Sequence, residues 1–83
     1  MKNLSQFSNL VDSIEIARTE MIEFFEPLTE IDSDLIWANI KERTIGSETA
    51  IDDNGDTYKV TSYECYIDSG SEDYYYFQLA VSI

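Results

Sequence analysis

The dipeptide Asn54-Gly55 constrains this chain more than any other feature of it. Asn-Gly readily adopts the positive φ angles of a type I′ hairpin turn, and strand-like sequence lies on both sides of it. Residues 45–52 are therefore expected to fold back on residues 57–67. In the second of these strands the apolar positions are Tyr58 and Val60, then Tyr63, Cys65 and Ile67. That change of parity predicts a β-bulge or twist near Thr61-Ser62. Residues 68–73 read as the next turn. Residues 74–83 then alternate, with Tyr75, Phe77, Leu79, Val81 and Ile83 on a core face and Tyr74, Tyr76, Gln78 and Ser82 outside.

The first third has a different period. Phe7, Leu10, Val11, Ile14, Ala17, Met21, Phe24, Phe25 and Leu28 recur at three- and four-residue steps, which predicts one amphipathic helix over about residues 5–26. Ser5 or Ser8 would cap its start and Pro27 would end it near Phe25 or Glu26. After a polar connection at residues 29–34, the segment 35–43 admits two readings. Ile36, Ala38 and Ile40 alternate as a strand would, whereas a Ser33 cap with Leu35, Ile36, Asn39 and Ile40 fits a short helix. The strand is preferred, and Trp37 is assigned to the core. The expected fold is α+β, a single domain over residues 1–83. Its N-terminal helix packs on an antiparallel meander of three to four strands, at about residues 35–43, 45–52, 57–67 and 74–83.

Seventeen carboxylates stand against five Lys and Arg, with no histidine, for a net charge of -12 on 83 residues. Apolar residues at 43% place that charge on a folded body rather than an acidic tail. Such a potential repels nucleic acid and membranes and attracts cationic protein surfaces. Lys2, Arg18, Lys41, Arg43 and Lys59 form no dense run that could displace counterions from phosphates, so direct nucleic-acid binding is not expected. No stretch approaches the ~20 apolar residues that span a bilayer. Cys65 is the single cysteine; it permits no internal disulfide and points to a reducing cytoplasm, that of a host cell if the chain is phage-encoded.

Catalysis lacks its usual groups. Without histidine there is no acid-base side chain near neutrality and no partner to activate Cys65, so no enzyme is expected. Asp52-Asp53-Asn54-Gly55-Asp56 has calcium-loop chemistry, but with Gly55 sixth in an EF-hand the first ligand position falls on Ala50. A tight turn accounts for the same residues. One cysteine without histidine makes no zinc site. Neither metal nor cofactor is expected.

Recognition of a protein remains. At about 100° per residue, Asp12, Glu15, Glu23 and Glu26 form a row opposite Phe7, Ile14, Met21 and Phe25. The row is either a ladder for a basic partner or a solvated outer face. Asp52, Asp53 and Asp56 in one turn and Asp68, Glu72 and Asp73 in the next are further candidate contacts. Tyr74 and Tyr76 beside them are either binding anchors or a cover for the sheet face.

A small, very acidic domain of helix plus sheet resembles, in kind, the DNA-mimicking inhibitors of phages and mobile elements, namely anti-CRISPR proteins and uracil-DNA glycosylase inhibitors. The likeness to the glycosylase inhibitors covers size, charge, the opening Met1-Lys2-Asn3-Leu4-Ser5 and the stretch Ser33-Asp34-Leu35-Ile36. The Gln-Glu-Ser-Ile segment of that family is absent, so none of its site residues is carried over. The resemblance implies an inhibitor that blocks the nucleic-acid channel of a basic enzyme such as a nuclease. Two alternatives stay open: an immunity protein or antitoxin for a nuclease toxin, and a non-catalytic adaptor that forms a homodimer. A monomer or a weak dimer is expected.

Overall fold

The computed structural model describes residues 1–68, 70 and 72–83; Ser69 and Ser71, within the expected 68–73 turn, lie outside the described residues. Five strands and two helices follow one another as β1 (Lys2–Asn3), β2 (Leu10–Val11), α1 (Ile14–Phe25), α2 (Ser33–Asn39), β3 (Lys41–Ile51), β4 (Thr57–Tyr66) and β5 (Tyr74–Ser82). The fold is α+β. Its sheet has the order β1-β3-β4-β5-β2, and both edge pairs are parallel, β1 with β3 and β2 with β5. The sheet is thus mixed and five-stranded, not the antiparallel meander of three to four strands that the sequence suggests. The difference comes from the first eleven residues, which supply a short parallel strand to each edge.

β3, β4 and β5 pair antiparallel in chain order. The turn between β3 and β4 differs from type I′. Gly55 N–H donates to the Asp52 carbonyl at 3.1 Å, Asp52 N–H to the Asp56 carbonyl at 3.0 Å, and only Gly55 takes a positive φ, at 85°. This is the three-residue loop in which a left-handed glycine closes an ordinary turn. The Asp52 carboxylate completes it by accepting from the Asn54 and Asp56 amides, each at 2.9 Å.

The bulge lies on β3 and not at Thr61-Ser62. Thr44 faces Tyr63 and Gly46 faces Ser62, so Ile45 is the extra residue. β4 itself runs in unbroken register with β5 from Tyr58 to Tyr66. Val60 and Cys65 therefore point to opposite faces, and both are buried because each face is covered at a different place. Cys65 lies under the helices. Val60 is outside that core and belongs to the face crossed by the N-terminal segment, where Lys2 pairs with Glu48, the cross-strand neighbour of Val60.

The N-terminal helix begins nine residues later than its periodicity implies. Ser13, not Ser5 or Ser8, caps α1, accepting from the Ile16 amide at 3.2 Å. Asn9 takes φ 54°, a left-handed conformation that Asn tolerates and a helix interior does not. Its side chain and carbonyl bond to β5 at Tyr76 and Gln78, and this holds Leu10–Val11 against the strand. Sheet pairing, which terminates an open edge, prevails over local helical spacing. α1 stops at Phe25 and passes into a 3-10 turn, Glu26–Leu28, that accommodates Pro27.

Residues 33–39 are helical, so the strand expected over 35–43 is replaced by α2 and the start of β3. Leu35 and Ile36 amides donate to the Asp32 carbonyl, and Asn39 bonds back to Leu35. Only Ile36 of α2 is buried, so the apparent alternation with Ala38 served no sheet face. Trp37 is 37% exposed, outside the core, with the Arg18 guanidinium 4.8 Å from its ring centre.

The core joins Val11, Ala17, Met21, Phe25 and Ile36 to Cys65, Ile67 and Phe77. Complete burial of a side chain such as Phe25 or Phe77 contributes about 1.5–3 kcal/mol. Val81 and Ile83, expected on the core face, are exposed because α1 covers β5 only from Leu79 back to Tyr75. Gln78, expected outside, is buried beside β2.

Candidate functional site

The direction of α1 decides where the carboxylates go. β2 sets the entry to α1 beside Leu79, and at the other end the Phe24 ring lies 5.5 Å from that of Tyr75. α1 thus runs opposite to β5, and its C-terminal turn reaches the end of the sheet where β5 begins. α2 is at that same end, because Ile36 packs with Cys65 and Ile67 and because Lys41 pairs with Tyr66. The fold therefore gathers two acidic segments that lie far apart in the chain. Glu23, Glu26, Glu30, Asp32 and Asp34 come from the helical layer, and Asp68, Glu72 and Asp73 from the strand connection. All eight are exposed. This acidic pole is the candidate site.

Not every residue singled out by sequence belongs to it. Asp12 and Glu15 are exposed but lie about 16 Å away along the helix axis, at its beginning. Asp12 precedes the cap and is not part of the helix. Asp52, Asp53 and Asp56 lie at the far end of β4, which at ten residues spans about 33 Å. Asp52 is occupied in its own turn. The Asp56 amide lowers its pKa most, with the Tyr58 hydroxyl and neighbouring amides adding to the effect against some desolvation. Tyr74 adjoins the pole and is 48% exposed, whereas Tyr76 is half-buried.

Glu30, Asp32 and Asp34 were missed as candidates because residues 35–43 read as a strand leading away from the helix. The Ser33-Asp34-Leu35-Ile36 sequence, read as a helix start, would have put Asp32 and Asp34 at the start of a second helix, while their place at the pole depends on the course of α1. Arg18, in the same layer, lies over Trp37 rather than along the carboxylates.

Arg43 bonds Glu64 at 2.7 Å, and Tyr66 donates to the same carboxylate oxygen at 2.7 Å. The Tyr66 bond is the larger cause of the lowered Glu64 pKa, followed by the Arg43 contact. Tyr74 leans on Tyr66 with ring centres 5.8 Å apart.

A groove follows the β2 edge. Leu4, Leu10, Val11, Ile16, Tyr58 and Ala80 line it together with the carboxylates of Asp12 and Glu20, around about 440 Å³. Tyr75 donates a 2.6 Å bond to Glu20 from beneath the helix; burial first and this bond second push the phenol well above its ordinary range. The described residues contain no cluster of three or more potential metal ligands, and no helix is long and apolar enough to cross a membrane. No protein-family model matches this chain, nor does any curated protein or solved structure.

Proposed function

We propose that this protein is an acidic inhibitor that docks on a basic nucleic-acid-binding enzyme, its carboxylates standing where phosphates would. The observation that carries this reading is the acidic pole, where the exposed carboxylates of Glu23, Glu26, Glu30, Asp32 and Asp34 meet those of Asp68 and Glu72 at one end of the sheet. Gathering like charges opposes folding, and an arrangement that costs stability is accounted for by a partner that supplies the missing cations. The body is elongated, with extents of 45 × 20 × 17 Å, so the pole forms a narrow end that a groove can admit. Tyr74 at the margin would serve as a rigid anchor.

The test begins with affinity capture from host or phage-infected lysate, followed by competition of the captured enzyme with duplex and single-stranded nucleic acid. Mutually exclusive binding is expected, weakening steeply with salt. Lysines at Glu26, Asp68 and Glu72 together are expected to reduce affinity at least about a hundredfold, or ~2.7 kcal/mol. Simultaneous binding of inhibitor and nucleic acid would refute channel occupation.

A further inference from the structure

The groove along the β2 edge is a different kind of surface from the acidic pole. Its walls are apolar side chains from three parts of the chain, namely the N-terminal segment, α1 and the ends of β4 and β5. Ile16, on the outer flank of α1, is 46% exposed within it. Asp12 and Glu20 stand among these groups. A second concavity shares Ile16 and Glu20 and continues along the helix past Thr19 to Glu15. No lysine or arginine lines either one.

An unsatisfied polar group lies next to the groove wall. Gln78 is only 7% exposed and its Oε1 finds no hydrogen-bond donor. The register sets it opposite Leu10, and Ala80 follows two residues on along the same side of β5; both line the groove. A buried amide oxygen without a donor costs about 1–3 kcal/mol, but Gln78 lies behind the groove wall and does not itself line it.

We infer that the groove binds an apolar–basic polypeptide segment, a large aliphatic or aromatic side chain flanked by Lys or Arg. The apolar side chain sits against Leu4, Leu10 and Ile16. Its cationic neighbours face Asp12, Glu20 and Glu15, where no cation of this chain competes. Glu20 already accepts from Tyr75, so an uncharged apolar segment would leave Asp12 and Glu15 without a cation, and an acidic one would be repelled. The inference rests on the reading of the protein as a binder of basic proteins, and it adds what that partner must present: a hydrophobic residue within its basic surface.

Two synthetic peptides of equal length and charge separate the ideas, one of lysine and leucine, the other of lysine and glycine. Each is titrated into the full chain and followed through backbone amide shifts. The lysine–leucine peptide is expected to bind about tenfold more tightly, with shifts centred on residues 10–12, 16, 20 and 80. I16S, at a half-exposed site, is expected to abolish the preference while retaining lysine–glycine binding and lowering the thermal melt by only a few degrees. D12N with E20Q is expected to weaken both peptides. Equal affinities, or shifts confined to the acidic pole, overturn the groove and leave the wider reading intact. Failure of both peptides to bind overturns both.

Discussion

Cys65 shows how far one side chain's chemistry is set by its place in the fold. It is fully buried between the helices and the sheet, and burial first, with the Glu42 charge second, pushes its thiol up to about 12. Reactivity belongs to the thiolate, so the folded protein is expected to resist alkylation at neutral pH and to be labelled only as it unfolds. The same shift sets an alkaline limit. An unfolded thiol ionises near 9 and the folded one near 12, so the unfolded chain gives up its proton first. This contribution to stability is complete below about 9 and is lost as pH rises through about 12. Melting temperature followed by circular dichroism should fall with pH above 9, and fall less for Cys65→Ala, which itself costs about 1 kcal/mol at neutral pH.

At the scale of elements, α1 ends badly by electrostatic standards. Its first turn holds Glu15, which suits the dipole, but its last turn has no cation and Glu26 follows directly beside the exposed helix carbonyls. Glu26→Lys is expected to raise stability by about 0.5 kcal/mol by reversing that interaction and pairing with Glu23, while weakening binding of the lysine–glycine peptide. A stability gain with no loss of binding would mean that this end of the helix is merely solvated. The core side of α1 was legible because Ala17, Met21 and Phe25 must share one stripe. Its start was not, since Phe7 and Leu10 continue the same spacing into residues that pair with β5. Asn9 and Ser13 were the available signals, a left-handed position and a cap. In the β half the pairing of β3 with β4 around Asn54-Gly55 was legible, but the turn type was not, because a three-residue loop also ends on a left-handed glycine. The β half was misread at 35–43, where seven residues fit either period. The acidic pole was illegible in one dimension, because only the reversed course of α1 brings residues 23–34 to the end of the sheet that holds Asp68, Glu72 and Asp73.

For the molecule as a whole, the -12 charge acts in opposite senses on folding and on recognition. The paired cations, Lys2 with Glu48 and Arg43 with Glu64, lie on exposed sheet surface and relieve little of the repulsion. Raising ionic strength from about 0.01 to 0.5 M shortens the screening length from about 30 Å to a few ångströms, so the melting temperature should rise by several degrees. Binding of lysine-rich peptides should weaken over the same range; a melting temperature indifferent to salt would show that the carboxylates do not repel one another strongly. The two small edge strands carry a consequence for the order of events. Lys2–Asn3 finds its neighbours only at Ala50–Ile51, and Leu10–Val11 only at Gln78–Leu79. Both segments thus acquire their partners late, because long-range loop closure must precede their docking. Until that final step both margins of the nascent sheet stand open, and the first eleven residues close them together, as a clasp fastened after the body is formed.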